Sequence, residues 1–127
     1  MNETIYRIQD REGRGPWRPG FSHRWVEDRP DHDNLPPGLQ ELGPVHRKVL
    51  YGCTCGFGCM TIDQLRRWFT PSEYQTLVRL GFYAVKMEVG RVIASSDVQC
   101  FFERVTPLWQ DFEKVELYPE VKHVWEY

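Results

Sequence analysis

The sequence predicts an α+β domain, and three observations carry that prediction. A β-branched and aromatic run, TIYRIQ at 4 to 9, opens the chain. Two helix starts with legible capping chemistry follow one another between 61 and 81, and two strand-like runs occupy 82 to 89 and 98 to 105. The order strand, long loop, helix pair, strands is that of segregated α and β elements rather than of alternating α/β units. The 127 residues, 41% of them hydrophobic, suffice for one real core, so 1–127 is read as a single domain.

Taken in order, the first run suits a short strand in which Arg7 faces the same side as Ile5. An arginine placed there is either exposed or employed, and its ordinary employment is an ion pair with an acidic residue on a neighbouring strand. From 10 to 44, glycine and proline recur too often for long regular elements, and this segment reads as a long irregular loop with one helical turn at 39–42. Trp17, Phe21 and Trp25 are large enough that the loop is expected to dock on the core through them. A second strand is expected over His46–Tyr51.

Thr61 and Gln64 then form a capping box, with Ile62, Leu65, Trp68 and Phe69 as the apolar face of a short helix. Thr70 and Glu73 form a second box, with Pro71 at the first helical position and Tyr74, Leu77 and Val78 as the buried stripe. Gly81 supplies the left-handed stop. Alternation in FYAVKMEV puts Tyr83, Val85, Met87 and Val89 on one face, whereas both faces of VQCFFERV carry apolar residues. Pro107 ends that run. The segment 106–127 reads as a C-terminal extension whose Val115, Leu117, Val121, Val124 and Trp125 add an edge strand or pack over the sheet.

Charge narrows the partner classes. Sixteen Lys and Arg are offset by eighteen Asp and Glu for a net charge of −2, which disfavours nucleic acid as a partner. No apolar run is long enough to cross a bilayer, and the charged, glycine- and proline-broken first twenty residues are unlike a signal peptide, so a cytoplasmic location is expected. In a reducing compartment the four cysteines are thiols or metal ligands rather than disulfides.

Two features bear on chemistry directly. Cys53, Cys55 and Cys59 are close enough in sequence to share a zinc ion, with Cys100 or His46 as a fourth ligand, although C-x-C-x3-C without a downstream pair is not a standard finger spacing. The competing reading is of small, partly buried residues in a glycine-rich turn. Gly56, Phe57 and Gly58 resemble a phosphate-cradling turn ahead of a helix, but lack the spacing of a dinucleotide fingerprint or a P-loop.

Three stretches together carry a family resemblance: YRI at 6 to 8, the glycine-rich turn running into TIDQLRRWF at 61 to 69, and SDVQCFFE at 96 to 103. In this order the chain resembles small ADP-ribosyltransferase-like proteins. The resemblance implies a split, twisted sheet holding NAD in a cleft. It implies that Arg7 contacts the NAD phosphates or ribose and that Gly56, Phe57, Gly58, Thr61 and Trp68 frame the nicotinamide pocket. Gln99 takes the late-strand catalytic position, where transferases carry Glu. The implied function is NAD or related nucleotide binding, with transfer of ADP-ribose to an unknown protein or other acceptor. The alternative is a non-enzymatic interaction domain that uses the 10–44 loop as its contact surface, with a structural zinc at the cysteines.

Overall fold

A computed structural model describes residues 3–17, 20–27 and 55–121. Within them the chain forms β1 (Glu3–Asp10), β2 (Cys55–Gly58), α1 (Ile62–Trp68), α2 (Pro71–Arg79), β3 (Phe82–Val89), β4 (Arg91–Ser95), β5 (Cys100–Glu103) and β6 (Phe112–Lys114). The class is α+β, as the element order predicts. The strands make two antiparallel three-stranded sheets, in the orders β1-β3-β6 and β2-β5-β4.

The sheets are joined at one crossing. Just beyond β2, Cys59 exchanges both backbone hydrogen bonds with Tyr6 of β1. The Tyr6 N–H donates to the Cys59 carbonyl at 2.8 Å and the Cys59 N–H to the Tyr6 carbonyl at 2.7 Å. A Cβ on Gly58 would lie 3.0 Å from the Tyr6 carbonyl oxygen and 3.2 Å from Ile5 Cδ1, so the strands approach this closely only because position 58 has no side chain.

Each face of the first sheet has its own core. Ile5, Val85, Met87 and Val89 pack against Cys100 and Phe102 of the second sheet and against Leu108. On the opposite face Ile8, Phe82 and Ala84 lie beneath the helices with Leu65, Trp68, Phe69, Tyr74, Leu77, Leu117 and Val121. The layers run helices, first sheet, second sheet. β3 is therefore covered on both sides over its first half, and only Lys86 and Glu88 carry its polar face outward.

Both capping boxes form. Thr61 Oγ1 accepts from the Gln64 N–H at 3.1 Å, and Gln64 Oε1 accepts from the Thr61 N–H at 3.3 Å. Thr70 Oγ1 accepts from the Glu73 N–H at 3.2 Å, and Glu73 Oε1 accepts from the Thr70 N–H at 2.9 Å. Gly81, at φ 95°, provides the expected stop. Tyr74 ties α2 to the sheet by accepting from the Ala84 N–H at 2.9 Å. The aromatic residues of the early loop dock as expected. Trp25 is buried, donates its indole N–H to the Pro16 carbonyl at 3.0 Å and packs on Phe69, while Phe21 packs on Phe82.

Four strand expectations change. The glycine-rich stretch at 55–58 is a strand, not a turn; its glycines are close-approach positions. β4 has no sequence signature because a bulge between Val92 and Ala94 breaks the period of two. β5 starts only at Cys100, which leaves Val98 and Gln99 in the turn before it. An edge strand forms at Phe112–Lys114, ahead of Val115 and Leu117, while Val115, Leu117 and Val121 take the other expected course and pack over the sheet. The strand expected at His46–Tyr51, the turn at 39–42, and Val124 and Trp125 lie outside the described residues.

Glu73 is completely buried, and its second carboxylate oxygen accepts from the Glu27 N–H at 2.9 Å, so one side chain caps α2 and anchors the early loop. Glu73→Ala orphans two backbone N–H groups. It is expected to lower unfolding stability by about 2–4 kcal/mol in urea denaturation, against about 1 kcal/mol for Thr70→Ala.

Candidate anion-binding site

β1 carries three successive same-face residues, Ile5, Arg7 and Gln9, into the space between the sheets. Ile5 completes the apolar core there, but Arg7 and Gln9 bring charge and amide into the same layer. Both are buried, Arg7 at 8% exposure and Gln9 at 0%. The Arg7 guanidinium sits 5.9 Å from the centroid of the Phe102 ring. A Cβ at Gly56 would lie 3.2 Å from its Nη1, and one at Gly15 3.3 Å from its Nη2, so bare backbone closes on the guanidinium from two sides.

The expected ion pair of Arg7 with a neighbouring-strand carboxylate is absent among the described residues. Across the ladder from it stands Val85. Asp10 is the first-ranked charge acting on Arg7, but its carboxylate is engaged in its own turn, accepting from the Glu12 and Arg14 N–H groups at 2.9 Å and pairing with Arg14 Nε at 3.0 Å. Arg7 Nε and Nη1 and Gln9 Oε1 are buried with no partner among the described residues, and no other side-chain atom of those residues shares that condition. Burial pulls the Arg7 pKa down to about 10, with Asp10 and Cys100 opposing, so at neutral pH the guanidinium keeps its charge.

Arg104 shows what a structural arginine looks like in this fold. It is equally buried, at 6% exposure, but donates to four backbone carbonyls: Glu88 at 3.2 Å, Pro107 at 3.0 Å, Gln110 at 2.7 Å and Asp111 at 2.9 Å. Arg7 has the same burial and none of these bonds. What remains is a desolvated cation whose Nε and Nη1 meet no acceptor among the described residues, a deficit that an oxyanion would answer.

The other residues singled out in the sequence form a second group around α1. Thr61 caps that helix. Trp68 donates its indole N–H to the Val98 carbonyl at 2.8 Å, and Gln64 Nε2 donates to the Asp97 carbonyl at 2.9 Å. These bonds fix the turn Ser96–Gln99, in which Ser96 Oγ accepts from the Val98 and Gln99 N–H groups at 3.2 and 3.3 Å. Gln99 is buried and ends this turn, directly before Cys100, the first residue of β5. Phe57, out of phase with Gly56 and Gly58, pairs its ring with Phe101 at 5.2 Å. Of the residues singled out in the sequence, Arg7 and Gly56 therefore come together, with Gly58 beside them at the crossing. Thr61, Trp68 and Gln99 belong to the α1 side.

The cysteines divide likewise. Cys59 donates its thiol to the Val98 carbonyl at 3.6 Å and packs with Ile8 and Leu65, whereas Cys100 packs in the inter-sheet core. Burial pushes the Cys59 thiol far up and the Cys100 thiol up to about 12, so both carry protons at neutral pH. Cys55, Cys59 and Cys100 are free thiols, and no three His, Cys, Asp or Glu among the described residues are grouped to hold a metal ion. Cys53 and His46 lie outside those residues.

Gln9 and Arg104 were not singled out in the sequence. For Gln9 the signal exists, since a residue two positions from Arg7 in a strand must share its face. For Arg104 none exists, because its partners are carbonyls of a loop.

Residues 1–114 match the family described as Bacteriophage T4 Y00F protein, and the chain belongs to that family. No curated protein and no solved structure matches it. No helix among the described residues is long and apolar enough to cross a membrane.

The two buried arginines should respond oppositely to an apolar replacement. Arg104→Met strands four carbonyls and is expected to cost about 2–4 kcal/mol in chemical denaturation. Arg7→Met removes an uncompensated charge and is expected to leave stability unchanged or to raise it. A large loss at Arg7 would reveal a structural partner and remove the receptor reading.

The alkaline limb of stability follows from the same burial. Burial raises the Cys59 thiol far up and Cys100 and Tyr74 to about 12, and it raises Tyr83 as well, so the stability they contribute is complete below their ordinary values and drains as pH climbs through the folded ones. Arg7, pulled down to about 10, and Arg104, also lowered, act in the opposite sense above their folded values. Four groups outweigh two. The thermal midpoint followed by circular dichroism is expected to fall steadily from pH 9 towards 12, and a flat profile would contradict this account.

Proposed function

We propose that this member of the Bacteriophage T4 Y00F protein family binds NAD or a related phosphorylated nucleotide, with Arg7 as the residue that holds the phosphates. The observation that carries the reading is the pair of buried Arg7 donors without a partner among the described residues. Nε and Nη1 donate from different edges of a rigid planar group, so one oxygen cannot serve both, whereas the two phosphates of a diphosphate can. Gly56 supports the reading by leaving the space next to Nη1 free of side chain, and Gly15 does the same beside Nη2. Gly15 lies against the guanidinium at Nη2, and a phosphate enters by displacing this part of the loop after β1.

Two small antiparallel sheets meeting at a single crossing, with an arginine on the first strand, are also what an ADP-ribosyltransferase-like split sheet would provide. Binding without turnover is the form of that reading we favour. A glutamine at 99 offers a hydrogen bond but no negative charge to oppose a developing oxocarbenium ion.

Isothermal titration calorimetry with NAD and ADP-ribose tests the reading. Binding is expected with the wild-type chain and a loss of at least about tenfold with Arg7→Met, the variant expected to remain folded. No binding of either ligand, or binding that Arg7→Met leaves intact, would overturn it.

A further inference from the structure

Gln9 has no role in the reading above, yet it supplies the third unpartnered atom. Its amide orientation is fixed, because Nε2 donates to the Leu108 carbonyl at 2.8 Å and so Oε1 must be the acceptor left over. Arg7 and Gln9 converge on Leu108. The Cβ position of Gly56 that lies 3.2 Å from Arg7 Nη1 also lies 3.5 Å from Leu108 Cδ1, and Leu108 in turn carries the carbonyl that holds Gln9. One of the Arg7 donors, Nη1, and the amide that carries the free acceptor therefore both lie by one leucine, on one face of one strand.

An oxyanion alone answers only the donors. A fully ionised phosphate diester or sulfate would place a further lone pair against Gln9 Oε1, which needs an N–H or O–H. We propose that Gln9 is a specificity-determining residue of the Arg7 site, accepting a hydrogen bond from a hydroxyl that the ligand presents beside its phosphate. The ligand class is then a phosphate with its own donor. The hydroxyl belongs either to a ribose or to a singly protonated phosphate, and bare anions are disfavoured. This rests on Arg7 being the anion-binding residue, but not on the anion being NAD.

The wild-type chain tests it with two matched pairs in calorimetric titrations at pH 7: ADP against 2′,3′-dideoxy-ADP, and inorganic phosphate against sulfate. In each pair the anion is nearly unchanged and only the donor is lost. The donor-bearing member of at least one pair is expected to bind about fivefold or more tightly, with the first pair identifying a ribose hydroxyl and the second a phosphate hydroxyl. Gln9→Met should abolish that preference. Equal affinities within both pairs, or no binding of any of the four, would overturn the assignment and leave Oε1 to ordered water alone. The two readings fail separately. NAD binding without discrimination removes the role of Gln9 alone, and phosphate preferred over sulfate without NAD binding removes NAD alone. Should Gln9→Met not fold, the wild-type pairs still decide.

Discussion

Two backbone hydrogen bonds between Tyr6 and Cys59 govern the rest of this structure. With the Tyr6 peptide committed to the chain leaving β2, the strand pleat sends Ile5 and Arg7, its two neighbours, to the face that meets the second sheet. The glycines of β2 arrive over them in register. Gly58 sits over Ile5 and the Tyr6 carbonyl, and Gly56, two residues back, sits over Arg7. The same crossing that lets the sheets touch through an apolar contact at one end thus drives a charged side chain into the layer at the other.

That placement is expensive. A buried cation without hydrogen-bond partners costs on the order of several kcal/mol after relaxation, comparable with the whole stability of a small domain. The fold can satisfy a buried arginine, since Arg104 has four carbonyls arranged around it by the loop 107–111. The difference between the two residues is therefore not a limit of the architecture. A local rule kept at one position and broken at another of the same kind is the pattern expected where a site trades stability for recognition.

What could be read from the sequence follows the range of the forces involved. Caps, the proline start and the Gly81 stop are local chemistry, and α1 and α2 formed with the boxes read from Thr61, Gln64, Thr70 and Glu73. β3 was legible because its alternation is strict, and the docking of Trp25 because an aromatic of that size needs a surface. β2 and β4 were not legible. Cys55–Gly58 has the composition of a turn, and its fitness as a strand exists only opposite Tyr6 and Ile5; β4 hides behind its bulge. In the site, Arg7 was visible as a basic residue on a short strand, but its lack of a partner is a property of everything around it. Gln99, read as part of the late strand, lies in the turn before β5, a boundary that the bonds from Trp68 and Gln64 to the 97–98 backbone fix and local sequence does not show.

The polarity of β1 changes along a single face, from Ile5 in the apolar core through Arg7 to Gln9, whose amide is clamped by the loop after β5. Every element that shapes this face lies within the stretch matched to the family: the Asp10–Arg14 turn, Gly15, Gly56, Phe102 and Leu108 all fall before residue 114. Leu117 and Val121, which lie beyond it, serve the helix side of the first sheet. The helix-side core thus draws on chain beyond the matched stretch, and the inter-sheet core does not. Any change in how Gly56 approaches β1 acts on the guanidinium directly, since a Cβ there would lie only 3.2 Å from Nη1.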